Sequence, residues 1–222
     1  MRTRLSSDRP TTAFSLIELL VVIAIIGIIG AFAVPAAGNL LKGSSLTQAA
    51  NLLSDQMAAA RQQALTRNRS IEVRLYSFVD PEQPGETTPY YRALQYFEIG
   101  EGGVANPVGK VSRFPDSVIM NPATVISSLL GGFVPSKPGT NDPDLARGVK
   151  RNYEYVSFRF QPDGSTSLSP TGGPSNGLWF ITAHLLNDIG RAQGGNPPPN
   201  FFTWMIDPVS GSAKILRPGF KK

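Results

Sequence analysis

Glu18 is the first residue of this chain that calls for a chemical explanation. It sits in an apolar run, and from Leu19 to Val34 no side chain is polar. A carboxylate at bilayer depth costs ~2.5–3.5 kcal/mol on insertion scales, so such a group needs a cationic partner. The nearest source is covalent. A cut between Ala13 and Phe14 would create an α-amine one helical turn before Glu18. In an assembly, Glu18 of one subunit could equally face the terminal amine of a neighbour. Either pairing offsets the burial of the acid and sets a stagger between packed helices.

Little other chemistry is available. The chain has no cysteine and one histidine among 222 residues. Disulfides, thiolate nucleophiles and cysteine-based metal or iron–sulfur sites are excluded, and histidine-cluster metal sites with them. His184 lies in an apolar strand-like segment, TAHLL, where a lone histidine reads as structural. Asn141-Asp142-Pro143-Asp144 gathers oxygen atoms in a loop but lacks the spaced ligand series of a calcium motif. Glycine-rich GEGGVAN does not match a phosphate loop, and no spaced carboxylate pair stands out for acid–base work. No cofactor and no catalysis are expected. The basic C-terminus, SAKILRPGFKK, offers Lys214, Arg217, Lys221 and Lys222 beside Phe220, a composition able to meet phosphates and bases. The alternative reading of the same residues is a solubilising tail.

The elements that must position Glu18 begin with a polar leader. Residues 1–13 carry Arg2, Arg4 and Arg9 against Asp8. Phe14 to Ala37 is then apolar and long enough to cross ~30 Å of hydrocarbon at ~1.5 Å per residue. The basic flank favours a cytoplasmic N-terminus and an exported C-terminal part. A removable secretory signal fits less well, because the run is long and no cleavage pattern follows it.

The segment Ala13-Phe14-Ser15-Leu16-Ile17-Glu18-Leu19-Leu20-Val21-Val22 resembles the class III prepilin signal of type IV pilins and type II secretion pseudopilins. Counting from Phe14, Pro35 is the twenty-second residue, where pilins commonly carry a kinking proline. Ala13 departs from the glycine that the family prefers before the scissile bond. The resemblance implies cleavage at Ala13/Phe14 by a prepilin peptidase, N-methylation of Phe14, an assembly role for Glu18 and a helix kink at Pro35. It further implies an inner-membrane, single-pass protein with its head in the periplasm. Its partners would be other pilin or pseudopilin subunits, the peptidase and methyltransferase, an inner-membrane assembly platform and membrane lipid.

Beyond the apolar run, Leu46, Ala49, Ala50, Leu53, Met57, Ala60 and Ala64 repeat at 3-and-4 spacing. Gln48, Asn51, Asp55, Gln62 and Arg69 fall on the opposite face. This predicts an amphipathic helix packing its stripe on a sheet. A helix from Phe14 to about Thr66 would be ~80 Å long.

After Asn68 the period becomes two. Ile71, Val73 and Leu75 alternate with Glu72, Arg74 and Tyr76, and residues 90–99 read as the antiparallel partner. Further strands are expected at SVIM, Tyr153–Phe160, Leu178–Leu185, Phe201–Ile206 and Ala213–Leu216, the last two joined by a turn at Asp207–Gly211. GEGGVANPVGK reads as loop, Ala123–Leu130 as a short helix, and 135–148 as a long exposed loop. The segment NDIGRAQGGNPPPN reads as a flexible excursion.

The expected architecture is α+β: a leader (1–13), a transmembrane helix (14–37), an amphipathic helix entering the head (38–67), and a β-rich antiparallel head (68–222). ARQQALTRNRSIEVRL, FRFQPDGST and DPVSGSAKILRP, in that order, are similar to pieces of minor, H-like pseudopilins. Length, loop richness and the N-terminus also resemble the Verru_Chthon cassette protein D family. The leading expectation is a structural subunit of a type II secretion pseudopilus or a type IV pilus-like fibre. The alternatives are a minor pilin that takes up DNA through its basic C-terminus, and an anchored enzyme or binding module that borrows the signal for sorting.

Overall fold

Leucine, isoleucine, valine and alanine dominate residues 16–37, and a helix starts at Leu16. In the computed structural model, helix α1 runs Leu16–Arg67. The structure describes residues 15–132, 134–139, 143–145, 149, 152–171, 177–192 and 196–218, leaving aside the side chains of 31–42. The chain divides into two units, residues 1–41 and 42–222.

In the first unit, the described side chains of Leu16–Ile29 are all exposed, from Leu16 at 81% to Val22 at 45%. This surface is apolar on every side, as expected of a helix meant for a non-aqueous or helical partner. Among the described residues, no helix is long and apolar enough to cross a membrane. The expected span of 14–37 reaches past the described side chains at both ends. Pro35 lies within α1, and its side chain falls outside the described residues.

In the second unit, α1 buries the stripe read from the spacing: Leu46, Ala49, Ala50, Leu53, Met57, Ala60 and Ala64. Gln48, Asn51, Asp55, Gln62 and Arg69 are exposed. Four of the seven stripe positions are alanine, which lets helix and sheet backbones approach closely. The helix stops where Asn68 turns left-handed, at φ 52°, a conformation asparagine tolerates at a helix C-terminus. Glu98 then takes Arg67 at 2.6 Å and Arg69 at 3.6 Å, tying the helix end to the sheet.

The strands are β1 (Ile71–Phe78), β2 (Tyr90–Ile99), β3 (Ala105–Pro107), β4 (Ser112–Arg113), β5 (Val118–Met120), β6 (Lys137–Pro138), β7 (Glu154–Phe160), β8 (Trp179–Leu185), β9 (Phe201–Ile206) and β10 (Ala213–Leu216). They form one sheet in the order β10-β9-β8-β5-β2-β1-β7-β6, with β3 and β4 pairing β2. Every pairing is antiparallel. An N-terminal helix followed by an antiparallel sheet is the expected α+β order. The helix-facing core joins the α1 stripe to Ile71, Val73, Leu75, Phe158, Ile181, Phe202 and Trp204, all at most 2% exposed. Complete burial of such side chains stabilises by ~1.5–3 kcal/mol each.

Four readings change in the structure. The alternation in β1 marks one apolar face, yet Glu72, Tyr76 and Phe78 on the other face are buried too. A second small core covers that side: Tyr76, Phe78, Ala93, Leu145, Val149, Tyr153 and Tyr155. The 135–148 segment therefore is not simply an exposed loop. Lys137 and Pro138 pair with β7, and Leu145 is 1% exposed. A lone leucine amid polar residues gives no period, so only the tertiary contact reveals its role. GEGGVANPVGK supplies β3 against β2. Ala123–Leu130 forms turns rather than a helix. Its Ser127 and Ser128 hydroxyls accept the Thr182 and Phe180 amides at 2.9 and 2.8 Å, in place of a neighbouring strand.

Candidate functional site

Ser15-Leu16-Ile17-Glu18 opens α1 with a reciprocal cap. The Ser15 hydroxyl accepts the Glu18 amide at 3.2 Å, while the Ser15 amide and hydroxyl both donate to Glu18 Oε2 at 3.0 Å. This is a capping box, and it satisfies amides that a helix start leaves unpaired. It also holds the carboxylate at the positive end of the helix dipole. Glu18 thus has a local anchor within the chain besides any cation. The signal was visible as Ser-x-x-Glu. Ala13 and Phe14, the expected cleavage and methylation positions, lie outside the described residues.

The basic C-terminus is only partly described. Lys214 is exposed on β10, and Arg217 is half-buried with Nη1 donating to the Thr47 hydroxyl at 3.0 Å. Lys221 and Lys222 lie outside the described residues. The described geometry gives Arg217 a structural task, closing the end of the sheet onto α1. Asn141 and Asp142 also fall outside the described residues, and among those described no group of three His, Cys, Asp or Glu is placed to hold a metal ion.

His184 is fully buried on β8. Its Nδ1 lies 2.8 Å from the Leu185 carbonyl, and Nε2 lies 2.8 Å from Asn121 Nδ2. Burial holds its pKa below the ordinary value, against the pull of the Leu185 hydrogen bond and of Asp188. The histidine is wired into the sheet, with no nucleophile beside it among its hydrogen-bond partners.

Two charged clusters were missed in the sequence. Arg61 on α1 donates to the Gly164 carbonyl at 3.2 Å and to the Ser210 carbonyl at 2.9 Å, so one guanidinium staples two distant turns. The turns also meet directly, Thr166 N donating to Pro208 O at 2.9 Å. At Gly211, φ is +63° and a Cβ would strike the Gly164 carbonyl, so only glycine fits. Asp163 and Asp207 cap their own turns, and hydrogen bonds from Ser165 and from Val209 and Ser210 hold both carboxyls below the usual range. The staple thus joins all three segments quoted above for their pseudopilin likeness.

The second cluster is buried. Arg92, 3% exposed, donates to both oxygens of Glu86 at 2.8 Å and to Asp80 at 3.3 Å. Arg113 also reaches Asp80, at 2.6 Å. This network pins the 79–89 loop, which composition alone marks as a polar connection.

In comparison with known proteins, the family model for the prokaryotic N-terminal methylation motif matches residues 9–34. No curated protein and no solved structure matches the chain. The matched residues contain the capped start of α1 and one carboxylate, Glu18, and they run into the apolar helix. Residues 9–34 therefore carry the N-terminal methylation signal of the type IV pilin and pseudopilin superfamily, which marks the chain as a pilin-like precursor processed at its N-terminus.

Proposed function

We propose that the chain is anchored by residues 14–37, cleaved between Ala13 and Phe14, and methylated on the new Phe14 amine. It then assembles through α1 into a type II secretion pseudopilus or a type IV pilus-like fibre. The observation that carries this reading is the methylation motif at 9–34, whose one acid, Glu18, stands at the first turn of α1. Cleavage supplies a cation close to Glu18, and the carboxylate then exchanges its Ser15 bonds for an ion pair within the chain or across to a neighbour. The exposed apolar side chains of Leu16–Ile29 supply the packing surface for lipid before assembly and for sister helices after it. Pro35 adapts the helix path within that bundle. The head is exported and decorates or caps the fibre. Its Arg61-stapled turns support an H-like, minor position. The cassette-protein resemblance is compatible with the same role.

Mass spectrometry of the protein purified from membranes tests the reading. The expected mature chain begins at N-methyl-Phe14. A protein that keeps residues 1–13 refutes it.

A further inference from the structure

The ten-stranded sheet has a weak seam, and the only histidine of the chain stands next to it. Among the described residues, β2 and β5 share one registered pair, Tyr91 with Met120. β5 in turn is held to β8 by three pairs, Val118–Leu185, Ile119–His184 and Met120–Ala183. Directly after β5, Asn121 continues this join. Its amide donates to Thr182 O at 2.9 Å, and its side chain meets His184.

The hydrogen-bond pattern permits one protonation state. The Leu185 carbonyl can only accept, so His184 Nδ1 carries the proton. Asn121 Oδ1 accepts the Ala123 amide at 2.9 Å, which directs Nδ2–H of Asn121 at His184 Nε2. Nε2 must therefore be a bare acceptor. Protonating Nε2 sets two donors against each other. Rotating the Asn121 amide relieves that clash but turns an N–H toward the Ala123 N–H. Both arrangements break a buried hydrogen bond, and His184 and Asn121 are 0% and 5% exposed, so water does not readily replace it.

The surroundings offer little compensation. β5, β9 and the 121–130 segment carry no titratable side chain. The 3-10 turn Leu186–Arg191 contributes Asp188 and Arg191, paired with each other at 3.2 Å. Asp188 favours the imidazolium, but burial outweighs it.

We propose that His184 and Asn121 form an acid-sensitive joint: imidazole protonation loosens the β5–β8 connection locally, while α1 and the Arg61 staple keep β8, β9 and β10 on the common core. The inference stands apart from fibre assembly and holds for the uncleaved chain as well. Both tryptophans, Trp179 and Trp204, lie on the β8–β9 side of this joint.

The test uses the full-length chain in non-ionic detergent, at about pH 7.5 and about pH 5. With a single histidine, ring-labelled protein gives one set of imidazole NMR signals. At the higher pH it should show the Nδ1–H tautomer. The imidazolium signal should appear together with a roughly tenfold or greater loss of hydrogen-exchange protection, after correction for intrinsic rates, in peptides covering 118–121 and 179–185. Peptides covering 71–78 and 154–160 should keep theirs. His184→Gln keeps an acceptor without a titrating group and should make the 118–121 protection independent of pH. An imidazolium signal with protection unchanged overturns the proposal. So does unchanged protection at the lower pH, or a folded His184→Gln that still loses it. If that variant does not fold, the two wild-type measurements still decide.

Discussion

Replacing Arg92 by methionine removes the centre of a buried ionic network while keeping most of the side-chain volume. Asp80 is fully buried and Glu86 is 7% exposed. Without Arg92, Glu86 loses both of its 2.8 Å bonds and keeps only the Asp80 amide, at 2.9 Å. Asp80 retains Arg113. One buried carboxylate is thus left without its charge partner, a change that costs about 3–5 kcal/mol. The Arg92 guanidinium also lies 5.6 Å from the Tyr90 ring centroid and 5.8 Å from that of Phe78, so about 0.5–1 kcal/mol of cation–π attraction is lost with it. For a domain of this size, 1 kcal/mol corresponds to about 2–4 °C. A fall in Tm on the order of 10 °C is therefore expected. Urea unfolding of the full-length protein in detergent, followed by the fluorescence of Trp179 and Trp204, reads the change. The comparison that isolates the charge is Arg92→Met combined with Asp80→Asn and Glu86→Gln, which neutralises both acids at nearly constant shape. It should recover at least half of the loss. A single variant costing under about 1 kcal/mol, or a triple variant no more stable than the single one, refutes the argument that an uncompensated buried charge controls this loop.

Arg61→Ala should lower stability by about 2–3 kcal/mol, from two lost charge-assisted bonds to carbonyls, with the same urea assay as the check. Gly211→Ala should destabilise as well, by at least the ~1 kcal/mol cost of a left-handed alanine; a neutral effect would disprove the close approach of the two turns. Asp207 has its folded pKa lowered, so its contribution is complete above the unfolded value and is lost as pH falls through the folded one. Wild type should therefore lose stability relative to Asp207→Asn below about pH 4, and parallel acid-unfolding curves would contradict this. Glu18→Ala should leave the protein in the membrane fraction but out of fibres, as read by shearing and immunoblotting. Ala13→Leu should block processing, and an unchanged mature mass would place the cut elsewhere.

The residues that local periodicity governs were legible in the sequence. The Leu46-to-Ala64 stripe repeats at helical spacing whether or not a sheet lies beneath it. The alternation of Ile71, Val73 and Leu75 likewise marks a strand before any partner is known. Glu18 was conspicuous because one carboxylate in an apolar run has no ordinary explanation. Its Ser15 cap is equally local, a Ser-x-x-Glu of four residues, yet reading Glu18 only as an acid in need of a cation left it out. What escaped depends on residues far apart in the chain. Leu145 and Val149 close a second core only because the chain returns over Tyr76. Arg61 reaches carbonyls at 164 and 210, which have no side-chain identity to announce them.

The sequence alone determined that an apolar N-terminal helix with a processing signal leads into an amphipathic helix and a β-rich head. These are properties of neighbours within a few helical turns. Only the tertiary structure decided which strands lie side by side, which charges are buried together and which proton His184 carries. Each of those depends on groups such as Asn121 and His184, brought to 2.8 Å by the sheet and separated by 63 positions along the chain.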